Sequence, residues 1–168
     1  AITLLVAHLA EHPDCAFAYP SQRFIGDQEL CWEPQEYNAF DILWSNHPTV
    51  CSLIRREAFN EVGGYDARMV YGWEDWSHWI ALSAKGHFGS RVAVPVFQHR
   101  RHGKTMTHTA ADKGTELRAS IIDGHPTLYE PSRITEVKRR WRPAVSVGVP
   151  VYNAHEYFHE TLECLQQQ

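Results

Sequence analysis

The segment from Gly63 to Gln98 constrains the fold more than any other stretch. Paired glycines at 63 and 64 supply a left-handed cap and a joint, so they end a short helix over 56–62. After a loop at 65–72, residues Glu74 to Lys85 read as the clearest helix. Acids stand in its first turn, a lysine in its last, and Gly86 just beyond, as the helix dipole and the capping rules prefer. Arg91 to Gln98 (RVAVPVFQ) is a β-branched strand, and Pro95 makes it an edge strand or a bulged one. Helix and strand signals alternating in this way indicate an α/β fold.

The flanking segments extend the pattern. Ile2, Leu5, Val6 and Leu9 recur at helical spacing, and His12-Pro13-Asp14 stops that helix. Cys15 to Tyr19 (CAFAY) fits a buried strand. Residues 21–38 are polar, with Gly26 and Pro34, and read as a loop or irregular hairpin. Ala39 to Trp44 makes one or two helical turns, and Thr49 to Ile54 reads as a strand. From Arg100 to Arg142 charge dominates. One weakly periodic stretch spans Glu116 to Ile122, Pro126 and Pro131 break the chain, and Lys138-Arg139-Arg140 is basic, so 111–142 reads as a peripheral helix and linker. Ala144 to Val151 is again a strand. It feeds an amphipathic helix, His155 to Gln167, with Phe158, Leu162 and Leu165 on one face. A strand entering a helix through Tyr152-Asn153-Ala154 is the opening βα unit of a Rossmann-like fold.

Composition removes several function classes. The 168 residues carry 16 Lys+Arg against 20 Asp+Glu, a net charge of -4, which argues against a broad nucleic-acid surface. No apolar run reaches the roughly 18–20 residues that span a bilayer. Cys15, Cys31, Cys51 and Cys164 show no C-x-x-C pairing and read as free thiols of a reducing compartment. The start at Ala1, without Met or a basic leader, reads as an internal one. A cytoplasmic setting, peripheral to the membrane, is the expectation.

Two stretches resemble a known family. Cys51 to Asp66 (CSLIRREAFNEVGGYD), then Gly72 to Trp76 (GWEDW), then Arg100 to Thr107 (RRHGKTMT) look in order and spacing like the acceptor-side half of a family 2 glycosyltransferase of the GT-A fold. Pro143 to Leu165 (PAVSVGVPVYNAHEYFHETLECL) is similar to the first strand and helix of the same family. In such enzymes the Pro-Val-Tyr-Asn unit precedes the Glu-Asp helix; here the order is reversed. The resemblance therefore implies a piece of a tandem enzyme. Residues 1–110 would end one incomplete GT-A (nucleotide-diphospho-sugar transferase) domain, 111–142 would link, and 143–168 would begin a second. Circular permutation is the less economical alternative. The family's Asp-x-Asp metal motif would then precede Ala1, and the piece alone would lack turnover.

Sugar transfer with inversion needs a base for the acceptor hydroxyl, positive charge for the leaving diphosphate, and a pocket holding both substrates in line. Glu74 and Asp75 open a helix, where its dipole stabilises their charge; the same pattern also describes ordinary first-turn acids. The resemblance makes Asp75 the base and Glu74 a supporting acceptor contact, with Tyr65 and Asp66 on the acceptor side. Trp76, Trp79 and Ile80 sit at core spacing, whereas Trp73, ahead of the helix, is the better candidate for stacking on a sugar. By resemblance Arg100, His102 and Lys104 approach the donor diphosphate, His102 as a weak metal ligand, with His99 as its alternative. Pro150, Tyr152 and Asn153 match the nucleobase-side turn. The partners implied are a nucleotide-sugar donor and a carbohydrate acceptor in polysaccharide biosynthesis, with Mn²⁺ or Mg²⁺ in the complete enzyme and a homodimer or strand swap of the piece. The rival readings are a non-catalytic carbohydrate-binding or acceptor-docking module using Trp73, and a metal-dependent hydrolase built on the His-rich loop.

Overall fold

The computed structural model describes residues 1–103, 105–142 and 163. Through them run α1 (Ile2–Glu11), β1 (Phe17–Gly26), β2 (Leu30–Trp32), β3 (Leu53–Ile54), α2 (Arg56–Glu61), α3 (Glu74–Ala84), β4 (Gly89–Arg101), α4 (Met106–Asp112), α5 (Gly114–Gly124) and α6 (Pro131–Trp141). Two 3-10 turns, Asp41–Leu43 and Pro126–Tyr129, complete the order. The α/β class read from the sequence is the class that forms. The expected strand at 144–151 and helix at 155–167 lie outside the described residues.

β1 is the centre of a mixed four-stranded sheet. β4 pairs with it in parallel over its whole length, from Phe17↔Gly89 to Gly26↔Arg101. β2 and β3 pair antiparallel with β1, at Gln22–Phe24 and Phe17–Ala18 respectively. Those same β1 residues also pair with β4, so β2 and β3 share the edge opposite it. The register slips on either side of Ser21, whose partner is Pro95. That is the bulge expected where a proline cannot donate to the ladder.

Both faces of β1 are covered, and period-2 alternation sorts its side chains between two cores. Phe17 and Tyr19 join Trp76, Trp79, Ile80 and Leu82 of α3 in the larger core. Ala18 points the other way, into a smaller cluster with Leu5 and Leu9 of α1 and Val92 of β4. The Phe17 ring stacks on Trp79 with centroids 4.6 Å apart and meets Tyr37 edge-on at 5.6 Å.

Three local readings differ from the structure. β1 continues to Gly26 through residues read as loop, because β4 pairs with it to that end and β2 flanks Gln22–Phe24; Ser21 and Gln22 are buried there despite their polarity. The strand expected over 49–54 shrinks to Leu53–Ile54. Ser52 Oγ donates to the Thr49 carbonyl, a local turn that competes with the ladder. Finally, 111–142 contributes Leu117, Ile121 and Leu128 to the larger core, with Ile134, Val137 and Trp141 packed against it. Asn38 fastens this segment by donating from Nδ2 to the Trp141 carbonyl at 2.9 Å, and Arg142 pairs with Asp41.

Arg55, within the stretch 51–66, holds two layers together. Its guanidinium donates to the carbonyls of Leu9 and Cys15 at 2.7 and 2.8 Å, tying the end of α1 to the start of β1. Carbonyls in the last turn of a helix have no intrahelical partner, so a cation there is well placed.

The packing at Gly89 generates a test. A Cβ at that position would lie 2.3 Å from the Phe17 ring, which is itself fully buried against Trp79. Gly89→Ala is expected to destabilise the fold by about 1–3 kcal/mol through overpacking. Urea unfolding should show a lower midpoint with an unchanged slope.

Candidate functional site

The chain enters α3 through an unusual turn. Gly72 has φ +120°, and its bare backbone lies close to α4: a Cβ there would sit 2.9 Å from the Ala110 Cβ. Trp73 follows with φ 62° and ψ 18°, alone among the non-glycine described residues in having positive φ. A bulky residue in the left-handed region costs about 1–3 kcal/mol and persists only when its surroundings hold it. Here the Trp73 ring lies over Gly114 of α5, where a Cβ would be only 3.2 Å away, and meets Trp76 edge-on at 5.0 Å.

Trp73 occupies the N-cap without a side chain able to cap, so the first turn needs another acceptor. Asp75 supplies it. Its Oδ1 accepts the Trp76 backbone N–H at 2.7 Å and the Asn46 Nδ2–H at 3.1 Å. Both bonds go to one oxygen. Burial pushes the Asp75 carboxyl above the usual carboxylate range and the neighbouring Glu74 charge adds to this, while the bonds from Asn46 and Trp76 oppose it. The result is a half-buried carboxylate, fixed in direction and more basic than an ordinary aspartate.

The other candidates divide. Tyr65 is 46% exposed and stands against His78 and Phe59, at 4.9 and 5.6 Å between ring centroids. Burial raises its phenol pKa and the charges of Asp75 and Glu74 raise it further, so it lies within electrostatic reach of the acidic pair. The Asp66 carboxylate is instead occupied by Arg68, which donates to it from Nε at 3.0 Å and Nη2 at 2.7 Å. Trp76 and Trp79 are core residues, and the Trp76 indole N–H donates to the Ile42 carbonyl.

On the donor side, Arg100 and His102 are exposed at and just past the end of β4. His99 instead packs edge-on against Phe24 at 5.5 Å, and burial lowers its pKa. The loop after β4 is clipped by Asp27, whose Oδ2 accepts the Gly103 N–H at 2.9 Å. It leads straight into α4, whose Met106 and Ala110 lie against Gly72. His102 is four residues from Met106, so the chain keeps it within roughly 14 Å of that contact. Lys104, Pro150, Tyr152 and Asn153 lie outside the described residues. Among the described residues no three His, Cys, Asp or Glu side chains converge to hold a metal ion. His102 alone gives one nitrogen, fewer ligands than manganese or magnesium requires.

Two participants were not legible in the sequence. Asn46 lies in an irregular turn, Ser-Asn-His-Pro, with no periodicity to mark it. Arg118 reads as an ordinary helix-surface arginine, yet its guanidinium lies 5.0 Å from the Trp76 ring centroid. It also lines a groove of about 480 Å³ between α5 and Trp73.

The Asp75 environment yields a signed prediction. A carboxyl whose pKa is raised on folding contributes stability below its unfolded pKa, and that contribution is lost as pH rises through the folded value. Asp75→Asn, which keeps the shape and removes the charge, should therefore raise Tm at pH 7, with the difference shrinking toward pH 3. Asn46→Ala removes a donor to the charged form and should move the Asp75 titration, followed by carboxyl ¹³C NMR, to higher pH.

No protein-family model matches the sequence, and no curated protein matches it either.

Proposed function

We propose that the chain is the acceptor-side part of an inverting glycosyltransferase of the GT-A type, moving a sugar from a nucleotide-sugar donor to a carbohydrate acceptor. Asp75 is its general base. The observation that most supports this reading is the state of that carboxylate: raised in basicity by burial, oriented through Oδ1, and set at a helix N-terminus beside a strained tryptophan. A base works best when its pKa lies toward the working pH while most of it stays ionised.

In the reaction, Asp75 takes the proton of an acceptor hydroxyl as that oxygen bonds to the anomeric carbon. The bond from that carbon to the diphosphate oxygen breaks on the opposite face, and the nucleoside diphosphate leaves with the electron pair. Trp73 offers an aromatic face for the C–H side of a sugar ring and keeps water from the base. Glu74 is a second acceptor for sugar hydroxyls. Arg100 and His102, exposed at and just past the end of β4, supply positive or hydrogen-bonding groups for the diphosphate. The divalent cation of the complete enzyme would neutralise that leaving group; the described residues hold no site for it.

The groove beside Trp73 equally suits the second reading, a carbohydrate-binding module without turnover. The two part on Asp75. In a transferase containing this chain, Asp75→Asn should lower kcat by about 10²- to 10⁴-fold while acceptor binding is retained. The acid limb of the rate profile should move to higher pH in Asn46→Ala, as the carboxyl titration does. Unchanged transfer in Asp75→Asn, measured with a panel of nucleotide sugars, would remove the base assignment.

A further inference from the structure

The groove between Trp73 and α5 has a construction that the transfer chemistry does not by itself demand. It is lined by Trp73, by Ala111 of α4, and by Gly114, Thr115, Ala119 and Ile122 of α5, so all its residues but one are uncharged. Gly114 is what lets the indole lie against the helix, since any side chain there would meet its ring. Arg118 is the single charged residue lining this space. No carboxylate among the described residues is within ion-pair distance of it, unlike Arg133 on α6, which pairs with Glu136. Its guanidinium is instead steadied by the face of buried Trp76, the residue after the candidate base.

We infer that this groove is a subsite for an anionic sugar, a hexuronate, whose ring lies on Trp73 and whose carboxylate is taken by Arg118. An indole face matches the C–H side of a pyranose, and a volume of about 480 Å³ accommodates a sugar unit. A guanidinium placed over an aromatic ring, with no ion pair to a described carboxylate, has N–H donors to offer, and these match a carboxylate in bidentate geometry. A diphosphate fits less well, because it carries more negative charge than one arginine balances and gains little from an apolar wall. Calling this sugar the acceptor rests on the transfer reading above; the preference for an anionic sugar does not.

The test is a titration of the 168-residue chain with methyl glucuronide and, separately, with methyl glucoside, following the tryptophan indole N–H signals by NMR. The glucuronide should bind about tenfold more tightly, the order of one charge-assisted contact. Arg118→Gln should abolish that preference and keep the weak glucoside affinity, whereas Arg118→Lys should keep part of it. Trp73→Ala should weaken both sugars. Equal affinities in the wild type, a preference that survives Arg118→Gln, or displacement of the glucuronide by uridine diphosphate would each overturn the assignment. Asp75→Asn should leave the preference intact, so loss of the transfer reading and loss of the groove are separate outcomes.

Discussion

Burial of β1 on both faces is the constraint on which the rest of the structure depends. A strand covered on each side must send apolar groups in two directions, and Phe17 and Ala18 do so from adjacent positions. The demand propagates outward. Phe17 needs a flat partner on one side and open space on the other, which Trp79 and Gly89 provide. Because Gly89 opens β4 and Trp79 lies in α3, this one stack sets how the helix and the following strand sit against the sheet. α3 can then deliver its N-terminus, with Glu74 and Asp75, to a defined place.

The sequence was informative where local signals and tertiary demands agreed. The bounds of α3 follow from its acids, its lysine and Gly86, and Pro95 foretells the irregular pairing of β4. It was uninformative where neighbours overruled composition. Ser21 and Gln22 look like loop residues, but β1 runs on through them, paired with β4 at both and with β2 from Gln22 onward, and carries them into the interior. The segment after Arg100 looks peripheral for a related reason. α5 buries only a narrow stripe, Leu117 and Ile121, against a core that already exists, so its pattern in the sequence is weak.

A similar division holds at the site. Gly-Trp-Glu-Asp-Trp could be singled out because its chemistry is compact in sequence. Asn46 and Arg118 could not, since they reach it from 29 residues before Asp75 and from the far side of Trp76. Each is ordinary by residue type; what distinguishes them is the direction in which the fold points them. Asn46 shows the point. Its Nδ2 serves Asp75, while its Oδ1 is buried without a hydrogen-bond partner. A surface asparagine would not be held in that position.

The departures from local stability at this corner are concentrated rather than scattered. Trp73 adopts a backbone conformation that disfavours large side chains, Asp75 keeps its carboxyl in surroundings that oppose ionisation, and Asn46 leaves an acceptor unpaired. Each feature costs stability singly, and a chain selected only to fold would relieve them by small changes. A glycine at 73 would remove the backbone strain and an asparagine at 75 the buried charge. Neither residue is part of the Phe17–Trp79 stack. The strain therefore belongs to the arrangement at the start of α3 and not to the architecture that carries it, and it gathers where the proposed transfer chemistry would take place.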